Sequence, residues 1–240
     1  MKNRKFTLIL ALMLVLALLT GCGGTNSDAP ATEPSATEAP TTEAPATEAL
    51  QENSLALGVV EGNNYSNTYA GIGCQLDSSW TMYPADQLQE MPAAVKDMME
   101  GSELAEAMAN VTQFTDMFAE NVELMANMNV LFQKLEMAQR VAYAVMDEKD
   151  VLEATLTQKD LMVEAYAQGG INVETMEIVT VTFLGEEHYA LKTVAETQGV
   201  AYYCLQVFDY WLGEYSVTIT FASFIEDNTE TMLELFYALD

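Results

Sequence analysis

Histidine is almost missing from this 240-residue chain, with His188 the single example. Positive charge is scarce too: 9 Lys and Arg stand against 36 Asp and Glu, a formal charge of −27. Cysteine occurs three times, at Cys22, Cys74 and Cys204. Each shortage excludes something. Three scattered cysteines and one histidine make no cluster with zinc-ligand spacing. No glycine-rich loop follows a strand pattern, so no phosphate cradle is expected. A chain this acidic repels phosphate backbones, which removes nucleic acid as a partner. It repels anionic lipid as well, so no basic patch can hold it on a membrane.

What is present begins at the N-terminus. Lys2, Arg4 and Lys5 precede an apolar run over residues 6–19. Such a run has the length of a signal-peptide core and is too short to span a bilayer as a helix. It ends in Leu19-Thr20-Gly21-Cys22. Positive charge, apolar run, small residues and cysteine in this order resemble the lipobox of bacterial lipoproteins. In that family the thiol takes a diacylglycerol, and cleavage leaves the cysteine as the mature N-terminus. The resemblance implies a signal peptide over 1–21, lipidation at Cys22 and an extracytoplasmic place on the cell membrane. The lipid bilayer, reached through acylated Cys22, is then the first partner. Two acyl chains suffice for stable anchoring where one is marginal. Removing 1–21 takes three cations and no acid, which leaves 36 acids against 6 cations, or −30. Seven of those acids lie before Tyr65, so the remainder still carries −23.

Residues 22–63 read as a disordered tether. Ala-Thr-Glu-Pro, Ala-Thr-Glu-Ala-Pro and Thr-Thr-Glu-Ala-Pro recur there. These residues bury nothing large, so nothing offsets the entropy of ordering them. Proline and like-charge repulsion extend such a segment, which would hold the following domain away from the membrane. A single domain is expected over 64–240, long enough to bury its own core. Export permits a disulfide between Cys74 and Cys204. Two buried thiols are the alternative, favoured by the apolar strands around both.

Ile72, Cys74 and Leu76 alternate as in a strand. Residues 86–99 place Leu88, Met91, Val95 and Met98 on one helical face. The stretch 102–135 is ambiguous, with strands at 114–118 and 128–135 around a turn at Asn121, or continuous helix. Residues 147–168 read as one helix, capped by Asp147 and ended by Gly169-Gly170. After it the period changes to two. Strands are expected at 179–183, 191–197, 200–209 and 215–221, with turns at Gly185-Glu186 and Gln198-Gly199. A last helix follows Asp227 or Asn228, turning Met232, Leu233, Phe236 and Tyr237 inward. This order predicts an α+β fold, an antiparallel sheet ending in a four-strand meander, with packed helices that include a long central and a C-terminal one.

The same order resembles the PsbP/Mog1/DcrB-like fold. Tyr65-x-Asn67, Gly71-Ile72-Gly73-Cys74, Trp80 and Phe183-x-Gly185-Glu186-Glu187-His188 resemble a group of uncharacterised lipoproteins of Firmicutes, of the Clostridia type. The resemblance spans residues 65–240. It implies fold and location, and it carries over no catalytic residue.

Chemistry is poorly supplied. His188 beside Glu186-Glu187 has the neighbours of a general base, but adjacent strand residues point to opposite faces and no nucleophile motif accompanies it. An exposed turn histidine is the plainer expectation. Asp147-Glu148-x-Asp150 and Glu226-Asp227 have the oxygen donors of a calcium site, yet both fall where acids stabilise a helix start. Methionines at 91, 98, 99, 108, 117, 125, 128 and 137 suit a core or an adaptable groove. Tyr210-Trp211-Leu212 before Gly213 fall at a predicted hairpin tip, where large apolar residues form a contact patch. The sequence therefore leads to a non-enzymatic binding or accessory module of the cell envelope, with no cofactor or metal and no catalytic residue. Its partner is an envelope protein or a small ligand. The rivals are a hydrolase using His188 and a carrier of a small apolar ligand.

Overall fold

The computed structural model describes residues 57–83, Leu88, 113–212 and 214–239, with the side chains of 209–212 excepted. Cys22, the signal peptide and most of the expected 86–99 helix lie outside the described residues. Eleven strands and four helices are described, in two antiparallel sheets. The smaller sheet has the order β1-β2-β3-β11, from β1 (Val59–Glu61), β2 (Asn64–Asn67), β3 (Ile72–Gln75) and β11 (Phe236–Ala238). The larger has the order β4-β5-β6-β10-β9-β8-β7. Its members are β4 (Thr81–Met82), β5 (Gln113–Asn121), β6 (Ala126–Lys134), β7 (Asn172–Phe183), β8 (Glu186–Thr197), β9 (Val200–Leu212) and β10 (Tyr215–Phe224). Helix α1 (Met137–Tyr143), α2 (Glu148–Leu156) and α3 (Lys159–Gln168) lie between β6 and β7, and α4 (Thr229–Leu233) precedes β11.

The last four strands of the large sheet pair consecutively. Two of their hairpins turn on two residues that both have positive φ, as a type I′ turn demands. One is Leu184-Gly185, at φ 51 and 88, a residue earlier than the glycine pattern indicates. The other is Gln198-Gly199, at φ 53 and 79. Glycine meets this demand freely, while Leu184 accepts some strain as it packs against the core.

Period-two alternation gives the large sheet two buried faces. Toward the small sheet it turns Met117, Met128, Val130, Phe132, Leu205, Val207, Val217, Ile219 and Phe221, which meet Tyr65, Ile72, Cys74, Trp80 and Phe236 in one cluster. Toward α2 and α3 it turns Leu191, Tyr202, Cys204, Ala222 and Phe224, which meet Leu152, Met162, Ala165 and Tyr166 in a second.

Three expectations are corrected. First, order does not wait for Tyr65: β1 pairs with β2 from Val59↔Ser66 to Glu61↔Asn64, so the domain reaches into the expected tether. The reason is Asp116, a buried carboxylate on β5. It accepts the Gly58 N–H at 2.9 and 3.0 Å, the Tyr65 hydroxyl at 2.7 Å and the Asn67 amide at 2.7 Å. Glycine is needed at 58, because a Cβ there would run into the Tyr65 ring and the Asp116 carboxylate. Second, the single helix over 147–168 is two. Asp147 caps α2 by accepting the Asp150 N–H at 2.8 Å, but the Thr157 N–H bonds to Ala154 O and the Gln158 N–H to Thr155 O, a tightened end from which α3 restarts. Third, the C-terminal helix stops at Leu233. Phe236 and Tyr237 lie on β11, paired with Cys74 and Gly73, where alternation buries Phe236 and exposes Tyr237.

Candidate interaction surface

Helix α1 buries none of its residues. Met137, Val141 and Val145 recur every four positions along it and just beyond, and are 68%, 63% and 85% exposed. Met137 and Val141, four apart, share one side of the helix, and Val145 is exposed just past its end, so the three give an apolar stripe turned to solvent. The stripe is fixed in place. A capping box holds the helix start, with the Gln139 side chain accepting the Glu136 N–H at 2.9 Å. Arg140 Nη1 lies 3.2 Å and Lys134 Nζ 3.9 Å from the Glu214 carboxylate, and the Leu135 N–H donates to Glu214 O at 2.8 Å.

Glu214 sits in the link between β9 and β10, where Leu212 pairs with Tyr215 and Trp211 with Ser216. The hairpin end that carries Tyr210, Trp211 and Leu212 is thus tied to the base of α1. Their side chains lie outside the described residues, so the contact patch expected of them is not described. Sequence reasoning missed α1. Met137, Val141 and Val145 carry the helical period, but nothing in the sequence tells an outward stripe from an inward one.

A second exposed apolar group caps the opposite end of the same strands. Val122, Leu124 and Met125 form the β5–β6 turn, and Ile225 follows β10. Phe224 N–H donates to Met125 O at 3.1 Å, which sets Ile225 beside that turn. Met125 and Ile225 have φ of 49 and 72, a conformation that costs strain at Ile225, the β-branched one of the two.

His188 is not an exposed turn residue. It lies on β8, mostly buried, its ring set edge-on to Phe183 with centroids 6.0 Å apart. Its carboxylate partner is Glu148 of α2, with Nδ1 to Oε1 at 3.3 Å, rather than Glu186 or Glu187. Glu148 also accepts the Tyr189 N–H at 3.0 Å, one residue before the β8–β9 ladder begins at Ala190↔Val207. The carboxylate takes the place of a ladder partner that β9 does not supply. The pair thereby docks α2 on β8.

The described cysteines, Cys74 and Cys204, are free and buried. They belong to different cores on opposite faces of the large sheet, which rules out a bond between them. Burial pushes the Cys74 thiol up to about 12. Burial also raises Cys204, to about 11, with the Tyr202 and Tyr166 hydroxyls pulling back. A thiol held protonated at neutral pH is a poor nucleophile, so neither completes a Cys-His pair.

The acid pairs are also spoken for. Asp227 receives Lys192 Nζ at 2.7 Å and the Thr229 N–H and hydroxyl at 3.1 and 2.6 Å. These bonds hold its carboxyl below the ordinary carboxylate value against the opposing effect of burial. Among the described residues no group of three or more His, Cys, Asp or Glu is placed to hold a metal ion. The described methionines divide: Met117 and Met128 are core, and Met125 and Met137 are exposed.

Among the described residues every Lys and Arg has an acid or a carbonyl. Lys134 and Arg140 meet Glu214, Lys149 meets Glu153, Lys192 meets Asp227 and Glu230, and Lys159 donates to Met176 O. The acid excess therefore has no internal answer. Among the described residues no helix is long and apolar enough to cross a membrane.

No family model matches this sequence, and no curated protein does. The solution structure of cyanobacterial PsbP (CyanoP) from Synechocystis sp. PCC 6803 is similar at 12% identity and a TM-score of 0.41, over 80% of this chain and 98% of that one. A likeness of that score carries no argument about activity or partner, and the α+β assignment rests on the strand order and layers above.

Proposed function

We propose that this chain is a lipid-anchored, extracytoplasmic binding module of the cell envelope, without catalytic activity of its own. Cys22 carries the anchor, and the Thr/Glu/Ala/Pro-rich segment before Leu57 gives reach. The observation that carries the reading is the Met137-Val141-Val145 stripe, apolar, outward and braced against Glu214. A short helix tied at its start, with its apolar side in water, is an anchor for a partner. Tyr210, Trp211 and Leu212 are assigned to the same contact surface, because their hairpin end is tied to the base of α1 and Tyr and Trp are favoured at contact sites. The uncompensated acids favour, as the partner, an envelope protein with an apolar ridge and a basic rim. The resemblance to uncharacterised PsbP/Mog1/DcrB-like lipoproteins of Firmicutes agrees with this place.

The test is capture from solubilised envelopes with the purified chain as bait, wild type against Met137→Glu/Val141→Glu. Both positions are exposed, so the melting temperature should stay unchanged while the captured protein is lost. Equal capture by the double variant would remove α1 from the interface.

A further inference from the structure

Among the described residues the two sheets end in four edge strands. Three are two or three residues long: β4, β1 and β11. The fourth, β7, has twelve residues and is the last strand of the large sheet. A long open edge invites another strand, and proteins usually blunt it with charge, a bulge or a covering group.

The first half of β7 has all three. A register shift between Val173 and Thr175 makes a bulge, Glu174 and Glu177 place charge there, and Lys159 Nζ donates to Met176 O at 3.2 Å. The second half, Ile178-Val179-Thr180-Val181-Thr182-Phe183, has no charge, no proline, no glycine and no register shift.

The ladder shows which backbone groups this half offers. In an antiparallel pair, residues alternate between pointing both N–H and C=O at the partner strand and pointing both away from it. Tyr189 N–H points away from β7, because Glu148 accepts it. Its partner Thr180 therefore points its own N–H and C=O outward. The same parity applies to Met176, Ile178 and Thr182. Met176 agrees, since Lys159 takes its carbonyl from outside. Ile178, Thr180 and Thr182 are left as three consecutive outward pairs, with no strand beyond them among the described residues.

We infer that residues 178–183 are a docking edge that takes an extended segment of a partner protein as an added β-strand. The occupant is set by charge. Glu177 closes one end of the open half, and the exposed Glu186 and Glu187, paired with Phe183 and Thr182, close the other. A second copy would bring its own Glu177, Glu186 and Glu187 to the same edge, in a chain that already carries a formal charge of −27, which like charge opposes. A segment of alternating β-branched residues with Lys or Arg at both ends meets the acids at both ends. Backbone bonds supply affinity in such strand addition, and the flanking charges supply direction and selectivity. This edge is separate from the α1 stripe, and its test does not depend on that reading.

The probe is a peptide of alternating Val and Thr with a Lys at each end, titrated into the purified full chain. A copy N-methylated at alternate residues, which cannot complete a ladder, is the control. Saturable binding of the first peptide, with slowed amide exchange at Ile178, Thr180 and Thr182 and no binding of the second, supports the inference. Thr180→Pro removes one outward N–H and no bond to β8, so the fold should persist while affinity falls by about tenfold or more. Should Thr180→Pro fail to fold, Thr180→Lys and Thr180→Glu at the same exposed position decide, the first weakening and the second tightening the basic peptide. Equal binding of both peptides, no saturable binding, or equal affinity of the Lys and Glu variants would each overturn the inference. So would a chain that sediments as a dimer and becomes monomeric on Thr180→Lys, since the occupant would then be a second copy.

Discussion

On the side of the large sheet turned to β1, β2, β3 and β11, nearly every inward residue is apolar, and Phe183, Phe221 and Phe236 meet ring to ring with centroids 5.5 to 6.4 Å apart. On the side turned to α2 and α3, the same strands place Asn129, Thr193, Gln206, Thr218 and Thr220, all buried, among Leu191, Tyr202 and Cys204. Asn129, Thr220 and Gln206 stand in one register row across β6, β10 and β9. The two cysteines report the contrast. Cys74, between the sheets, is raised by desolvation alone, whereas at Cys204 two tyrosine hydroxyls partly offset burial. One face of a single sheet is thus a dry core that carries stability, and the other tolerates polar groups at some cost to it.

The sharpest break of that contrast is Phe221→Ala. Its ring touches Phe183 and Phe236, and Met128 stands opposite it across the β6–β10 pair. A buried Phe→Ala change costs about 3–5 kcal/mol, read as a lower urea midpoint at unchanged slope. A loss under about 1 kcal/mol would mean that the face between the sheets repacks freely, and the contrast would fail.

The next effect belongs to Asp116, a buried carboxyl group beside the dry core. Asp116→Ala leaves the Gly58 N–H, the Tyr65 hydroxyl and the Asn67 amide without their shared acceptor. Hydrogen bonds to a charged group are worth about 1.5–3 kcal/mol each and are not additive, so a loss of about 3 kcal/mol is expected. A chain that begins at Asn63 should lose part of this through β1 and Gly58, while one that begins at Leu57 should melt with one that begins at Cys22. Equal melting of the two truncated chains would detach β1 from the domain.

These cases show what the sequence disclosed. Strong alternation disclosed the 215–221 strand, and glycine after a polar residue disclosed the Gln198-Gly199 turn, because both signals are local. The break at Thr157 was hidden, since 147–168 holds no proline or glycine and only a tightened turn interrupts it. β1 was hidden because it has only three residues, and the Gly58 that leads into it is held by a carboxylate more than fifty residues away. The partner of His188 was hidden for the same reason: Glu148 is forty residues off, and two acids stand beside the histidine as decoys. The outward side of α1 depends on what its neighbours leave uncovered, which no period reports.

A smaller and pH-dependent effect compares the two cores through their thiols. Both folded values lie above the ordinary thiol value, so the folded chain keeps a proton that the unfolded chain releases. Below about pH 8.5 both states hold it, and the thiols contribute no pH dependence. From there up to the folded values of about 11 and 12 the unfolded chain binds fewer protons, and stability falls by about 1.4 kcal/mol per pH unit for each thiol. Urea midpoints from pH 8 to 10 should decline in the wild type and decline less in Cys74→Ala and Cys204→Ala. A flat wild-type profile would mean that neither thiol is buried as described.

The smallest expected effect tests the tolerant face directly. Asn129 is fully buried, and neither polar atom of its side chain has a hydrogen-bond partner. A buried amide without partners gains nothing from the fold and loses its hydration. Asn129→Leu replaces it with an apolar side chain of similar size, in a row that already contains Leu191 and pairs with Phe118. The change should be neutral or stabilise by up to about 1 kcal/mol, and the same substitution at Asn67, whose amide serves Asp116, should destabilise. Matched urea curves for the two variants decide the point. If Asn129→Leu costs as much as Asn67→Leu, the amide has a partner in solution, and the helix-side face is as specifically built as the face between the sheets.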